Sequence, residues 1–395
     1  MNATGIPLKE PSVSAAAGDT EQLERAYIDA STRVPVLMFY ASAMAWLILG
    51  TLLAGFVSFK LHWPDLVSDI SFLTWGRVRP AHMNVMVYGW ASMAGMGTAI
   101  WLMARLCRTV LRYPLLLLAG ACFWNLGVLL GVGGILLGDS TGYQWLEFPL
   151  YAAVLLFVAY TLVVSWAVLM FRFRRGDQIY ITQWYLLGAF LWFPWLYAAG
   201  QLMLFVVPVQ GVLQPAVGWW YANNLLFLWF GAISYTVFSV LGVLISLRSV
   251  ARYVNFTQVS IAYSHLGLYA FFTMVIFGSM YYIVPRLVGR EWRYASLIKL
   301  HFWASVYGIG LMTLMLLAGG FLQGANMENP LLVFSESTES VLPYLRGRSL
   351  SGVLLTAAHF IFAYHFLLML LGLGRTSTVP TFLNPVEAEG SEAHL

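Results

Sequence analysis

The stretch PLYAAVLLFVAYTLVVSWAVLMF, residues 149–171, runs for 23 positions without one Asp, Glu, Lys or Arg. A helix rises about 1.5 Å per residue, so a run of this length covers the roughly 30 Å hydrocarbon core of a bilayer. Pro149 stands at its head, where the missing N–H costs nothing because the first helical turn has no partner for it. Read outward on the same criterion, the chain offers further spans near 36–59, 82–106, 114–138, 180–207, 219–247, 262–285, 299–323 and 350–374. Pro35, Pro80 and Pro114 stand at or just before three more span starts, and Pro194 falls inside a span, where it should bend the helix. The composition agrees. Of 395 residues 60% are hydrophobic, 16% aromatic and only 10% charged, against about 25% charged in a soluble domain. Disordered, collagen-like and disulfide-scaffold classes are excluded. The fold class is all-α, a polytopic membrane helical bundle of about nine spans.

Residues 1–34 form a polar N-terminal segment without a signal-peptide pattern, 35–375 the membrane helical domain, and 376–395 a polar, acidic tail expected to be disordered. The first span is expected to stay as an uncleaved anchor. The net charge of +4 does not point to nucleic acid, because the basic residues sit in short clusters between apolar runs. In a nine-span chain, the side bearing the N-terminus holds Lys9, Arg25, Arg33, Arg105, Arg108, Arg112, Arg172, Arg174, Arg175, Arg248, Arg252, Arg346 and Arg348. That is thirteen of 21 Lys and Arg, which predicts a cytoplasmic N-terminus. Arg286, Arg290, Arg293 and Lys299 blur the count, since they share one supposedly external loop. Cys107 and Cys122 are isolated, with no zinc, iron–sulfur or covalent c-type haem motif.

No fixed-period repeat, Gly-rich phosphate loop, GxSxG elbow or Cys/His catalytic pair is present. The Gly, Ser and Ala residues within spans read as close-packing positions. Histidines are the main ionisable groups at membrane depth: His82, His265, His301, His359 and His365, with His62 in a loop and His394 in the tail. Hydrocarbon offers an imidazole no water, so each is a functional candidate. A neutral imidazole is also a natural axial ligand for haem iron. Each can equally be a core histidine bonded to a nearby carbonyl. His359 and His365, six apart, do not share a helix face and cannot hold one ligand together.

Eight strings carry a more specific signal: KLHWP (60–64), WGRVRPAHMNVMVYGW (75–90), LEFP (146–149), QWYLLGAFLWFPWLYAAGQ (183–201), GWWYANN (218–224), NFTQVSIAYSHLGLYAFFTMVIFGSMYYIVPRLVGREW (255–292), LIKLHFWAS (297–305) and LPYLRGRSLSGVL (342–354). In this order they resemble subunit I of the haem-copper oxidases, C (cbb) type, from about Pro35 to Gly374. The resemblance implies that His82 and His265 are the two axial ligands of one low-spin haem b. It also places His301 near a haem propionate and makes Arg77 and Arg79 possible propionate partners. Solvated loop arginines are the plain alternative for the last two.

The departures from that family are as informative. Where it has a His-x-His pair, serving two haems on opposite helix faces, this chain reads Tyr263-Ser264-His265. Tyr263 occupies the position of the high-spin haem ligand, and Asn223 that of the first copper ligand. The adjacent His-His pair is absent. Only 41 residues separate Asn223 from His265, where the family has several further helices. The expectation is therefore one low-spin haem b, no copper and no catalytic oxygen-reducing site. Such a chain would be a respiratory electron-transfer subunit in a bacterial-type inner membrane, working with a cytochrome c or quinol-oxidising partner. The alternatives are an active terminal oxidase or nitric oxide reductase subunit, and a haem-free scaffold or assembly protein. Whether the chain is an enzyme stays open.

One conflict arises within this reading. His82 and His265 each stand near the start of a span, and in a nine-span count these are the second and seventh. Their helices would run in opposite directions and hold the histidines at opposite faces. His301 and His365 would then share His82's side instead. A re-entrant 219–247 stretch, a different span boundary or ligands shared between protomers would each remove the conflict; otherwise the haem is absent or His82 has another partner.

Overall fold

The computed structural model describes residues 13–381, except 176–178, 226–228 and 230–241, with side chains from Thr20 onward. Eight helices among the described residues are long and apolar enough to cross a membrane. They are α1 (Val13–Lys60), α2 (Trp75–Leu106), α3 (Pro114–Leu137), α4 (Leu150–Arg172) and α5 (Ile181–Val206), then α8 (Gln258–Val288), α9 (Ala295–Met327) and α10 (Phe334–Leu370). Two short helices, α6 (Leu213–Asn224) and α7 (Arg248–Val254), lie between α5 and α8. This is an all-α polytopic bundle, and the chain is an integral membrane protein.

Several helices begin before their apolar runs do. Helix α1 passes through Pro35 and takes in most of the polar segment, so residue 35 is not a structural boundary. Helix α10 starts at Phe334 rather than near 350. The reason is that hydropathy sees only the lipid-facing length, while tertiary partners hold the polar turns. On α1, Asp29 accepts from Trp101 Nε1 at 2.9 Å and pairs with Arg105 at 3.1 Å, and Glu24 pairs with Arg108 at 2.6 Å. At the other terminus Thr381 is buried and bonds the Glu291 carboxylate and the Trp292 carbonyl. The first residues of the expected tail are thus docked; 382–395 lie outside the described residues.

The two ends of the bundle can be told apart by their contacts. One end gathers Asp29, Arg105, the Cys107–Arg175 backbone bond and the paired backbones of Glu291 and Arg375. The opposite end gathers Ser58 and His62 with Ser349, Arg77 on the Leu136 carbonyl, and Tyr143 against Phe205. Both flanks of the expected sixth span belong to this second end. At Gly218 the chain passes Tyr143, Tyr221 bonds Tyr88 at 2.8 Å, and Tyr253 lies against Gly324 near the end of α9. The described flanks of the stretch between Val206 and Gln258 therefore lie at the same end. In place of the expected nine, the spans among the described residues number eight, with the middle of 219–247 lying outside the described residues.

This correction reassigns the basic residues. Arg248, Arg252, Arg346 and Arg348, expected on the N-terminal side, lie at the opposite end with Lys60, Arg77 and Arg79. Arg286, Arg290, Arg293, Lys299 and Arg375 join the N-terminal side, so the blurred external loop disappears. Helices α2 and α8 now run in the same direction. Their middles are linked by Trp90 Nε1, which donates to Thr273 Oγ1 at 3.1 Å. Such an interhelical bond in a membrane contributes on average about 0.6 kcal/mol, so it sets register more than stability.

Candidate functional site

Within α2 and α8 the α-helical hydrogen bonding gives way to wider π turns, over Val85–Ala91 and Leu266–Thr273. His82 lies three residues before the first of these and His265 immediately before the second. Single π segments inside helices commonly mark functional positions, because the extra residue per turn rotates the following side chains. Nothing in the hydropathy pattern forecasts them.

The two histidines share a hydrogen-bonding arrangement. His82 Nδ1 donates to the carbonyl of Gly50 at 2.9 Å, and His265 Nδ1 donates to the carbonyl of Ile261 at 2.8 Å. A carbonyl only accepts, so each Nδ1 carries the proton and each Nε2 keeps its lone pair. That is the tautomer a metal-ligating imidazole needs, fixed by a carbonyl on its far nitrogen. Gly50 permits the approach: a Cβ there would meet Met86 Sδ at 2.6 Å and the Val85 side chain at 3.0 Å, so α1 could not lie this close to α2. His82 and His265 are near enough to act on one another electrostatically, and Arg348 lies in the field of both. Both rings are only half-buried.

The remaining histidines are packed differently. His359 is buried with both nitrogens engaged, Nδ1 with Thr51 Oγ1 at 2.5 Å and Nε2 with Tyr269 hydroxyl at 2.7 Å, so no lone pair is left for iron. His301 bonds Tyr281 hydroxyl at 3.0 Å and stacks on Phe362 at 4.8 Å, while His365 Nε2 accepts from the Tyr294 backbone at 3.3 Å. These last two sit toward the N-terminal end of the bundle. The structure does not bring His301 to His82, and the alternative pairing of His82 with His301 or His365 is overturned by the eight-span topology.

Of the expected propionate partners, Arg77 donates to the Leu136 carbonyl at 3.1 Å, at the C-terminus of α3, where a cation suits the helix dipole. Arg79 lies over the Trp75 ring at 5.4 Å and within electrostatic range of His82 and Arg348. Arg348 was missed by sequence reading, which placed it in a loop. It is buried, and its Nε has no hydrogen-bond partner among the described residues. Two guanidinium groups beside two imidazoles make a strongly basic setting that fits a ligand bearing carboxylates. The group the resemblance implies thus fits the residues: paired imidazole lone pairs for iron, and Arg348 with Arg79 for its acidic substituents. Asn223 donates to the Trp219 carbonyl at 2.8 Å, and Tyr263 approaches Gly242.

A buried acid adjoins this site. Glu147, in the α3–α4 connection, accepts from Asn84 Nδ2 at 2.9 Å, two residues after His82. Burial pushes its carboxyl above the usual carboxylate range, and the Asn84 bond pulls it partly back. A raised folded pKa means stability that is fully present at low pH and is lost as pH rises from the ordinary value of 4.5 through the raised one. Glu147→Gln should flatten this limb, so thermal melting of the variant falls less with rising pH than that of the parent. Parallel melting curves would remove Glu147 as the cause.

The family described as Cytochrome C and Quinol oxidase polypeptide I matches this sequence over residues 34–240 and 222–354. Among curated proteins, the Cbb3-type cytochrome c oxidase subunit CcoN1 of Stutzerimonas stutzeri is 22% identical over 84% of this chain and 93% of its own length. The Cytochrome c oxidase subunit 1 homolog of Agrobacterium tumefaciens (strain T37) is 21% identical over 83% and 81%. The Cytochrome c oxidase subunit 1 of Rhodobacter capsulatus is 21% identical over 88% and 86%. The alignment to the first runs over 444 positions, more than the 395 residues of this chain, so it carries long gaps on this side. The match in two stretches, the eight apolar helices and the order of the motifs agree: the chain belongs to the Cytochrome C and Quinol oxidase polypeptide I family, and is a haem-copper oxidase subunit I-like protein.

Proposed function

We propose that this chain is a membrane electron-transfer subunit that holds one low-spin haem b between His82 and His265, without a high-spin haem or copper. The observation that carries the reading is the matched tautomer of two neighbouring histidines at the same end of parallel helices. When bound, haem supplies a one-electron iron couple. The chain's own part is to orient both imidazoles through Gly50 and Ile261 and to place Arg348 and Arg79 against carboxylate groups. Two imidazole ligands leave no open coordination position, which suits electron transfer and not substrate chemistry. Tyr263 and Asn223 stand where the family's other metal ligands would be, and the long alignment gaps favour a shortened relative.

The relatives are named as cytochrome c oxidase subunits, so respiratory partner subunits, and a cytochrome c or quinol-oxidising donor among them, belong to this proposal. Among the described Lys and Arg, thirteen now lie on the N-terminal side and seven on the other. That asymmetry favours a cytoplasmic N-terminus and an outward-facing His82–His265 site in a bacterial-type inner membrane.

Reduced and oxidised optical spectra of the purified protein, with and without carbon monoxide, test the reading. A sharp reduced α-band unmoved by carbon monoxide is expected. A carbon monoxide-sensitive haem in the native protein would favour an active oxidase or nitric oxide reductase subunit. Absence of any Soret band after expression with ample haem would favour a scaffold.

A further inference from the structure

At the N-terminal end of the bundle, far from the histidine pair, the α8–α9 turn and the residues after α10 enclose an open cleft of about 440 Å³. Its described lining is Arg290, Arg293, Tyr294, Gly374, Arg375 and Thr376, so three of these six residues are arginine and none of the six is acidic. The nearby acid is Glu291. Its backbone pairs with that of Arg375 in both directions, at 2.9 and 2.8 Å, and its carboxylate is held away by Thr381 N and Oγ1 at 3.2 and 3.3 Å. The same pairing fixes the two walls of the cleft to each other.

The arginines are oriented by backbone. Arg293 donates through Nη1 to the Leu373 carbonyl at 3.2 Å and through Nε to Tyr294 hydroxyl at 2.9 Å, and Arg290 Nη1 reaches the Gly374 carbonyl at 3.5 Å. A guanidinium has five N–H donors, so these bonds leave donors for an anion. The cleft's place along the bundle is set by three helix ends. It lies between the end of α8 at Val288, the start of α9 at Ala295 and the end of α10 at Leu370. Tyr294, Leu371 and Leu373 beside it are 42%, 63% and 44% exposed. A half-exposed tyrosine and leucines with a basic floor, just past three helix ends, describe the boundary between acyl chains and head groups.

We propose that this cleft is a phosphate-binding site, and that its position makes the head group of an anionic phospholipid the ligand that fills it. Soluble phosphate is the other source of the same chemistry. The site is independent of the haem reading. It would pin the C-terminal segment and the α8–α9 turn to the membrane surface.

The test is native mass spectrometry of the full chain released from detergent, titrated with phosphatidylglycerol or phosphatidylcholine, with and without inorganic phosphate. Preferential retention of phosphatidylglycerol, not displaced by millimolar phosphate, is expected. Each surface arginine contributes about a fivefold preference, so Arg290→Gln with Arg293→Gln should lower it roughly twenty- to thirty-fold and leave phosphatidylcholine retention unchanged. Arg290→Lys with Arg293→Lys keeps the charge and most of the preference, which separates loss of the site from loss of the fold. Equal retention of both lipids by the parent, or an unchanged preference in the glutamine variant, overturns the site. Displacement by inorganic phosphate overturns the lipid as its source.

Discussion

Replacing His82 or His265 with alanine is expected to abolish the low-spin spectrum completely, because each imidazole would supply one of two axial bonds and the other described histidines are held elsewhere, His62 on Ser349 Oγ at 2.9 Å among them. His359 has both nitrogens committed, and His301 and His365 lie toward the other end. Each single variant should retain a five-coordinate haem or none. Where haem is retained, the sharp α-band should be lost and carbon monoxide, expected to leave the parent unmoved, should now shift the spectrum. Added imidazole should restore the low-spin form in part, a response that a misfolded protein would not give. His359→Phe serves as the contrast. It deletes the bonds to Thr51 and Tyr269 and should cost stability, about 1–3 kcal/mol for the buried partners left behind, without changing the ligand spectrum. A normal spectrum in both His82→Ala and His265→Ala would refute the assignment.

The second large effect is expected from glycines that touch no ligand. Gly320 and Gly324 lie four apart on α9, on the face crossed by the segment leading into α8. A Cβ on Gly324 would collide with the Tyr253 carbonyl, and one on Gly320 with the backbone of Val259. Both obstacles are main chain, which cannot rotate out of the way as a side chain can. Gly→Ala within a helix gains up to about 1 kcal/mol in propensity, whereas overpacking costs about 1–3 kcal/mol. The clash should win. Gly310, on the same helix, has no neighbour within 4 Å of its virtual Cβ, so Gly310→Ala should be neutral or slightly stabilising. Gly324→Ala should lower the thermal midpoint and, by displacing the start of α8, weaken haem retention through His265. Thermal unfolding followed at the Soret band compares the two variants directly. Equal midpoints would show that α8 does not depend on this crossing.

Much of this architecture is legible in composition, because lipid imposes one requirement on every span. A backbone in hydrocarbon must satisfy its own hydrogen bonds, and a side chain there must be apolar. Residues 149–171 meet that requirement so fully that helix α4, Leu150–Arg172, follows with little else. His82, His265, His301, His359 and His365 stand out for the complementary reason, as ionisable groups where few are tolerated. The motifs around His82 and His265 suggested the partnership. The close-packing role given to small residues also holds at Gly50, Gly320 and Gly324, where backbones approach.

The sequence misled where hydropathy and direction part company. The 219–247 stretch is apolar enough to span, yet its described flanks lie at one end of the bundle. Apolarity reports what environment a segment tolerates, and direction depends on what its ends touch: Tyr143 and Tyr88 on one flank, Gln323 and Gly324 on the other. Arg348 escaped notice for a related reason. A one-dimensional reading sends an arginine to a loop, because its burial is costly without partners, whereas helix packing seats it beside two imidazoles and near Arg79. By itself the amino-acid sequence determined the environment, the helical class and the histidines at membrane depth, since each follows from the cost of polarity in lipid; the resemblance singled out two of them. The tertiary structure decided that these two face the same end, which proton each carries, and which arginine accompanies them. Those properties belong to distances between helices, and distance across a bundle is not written in the order of residues along any one of them.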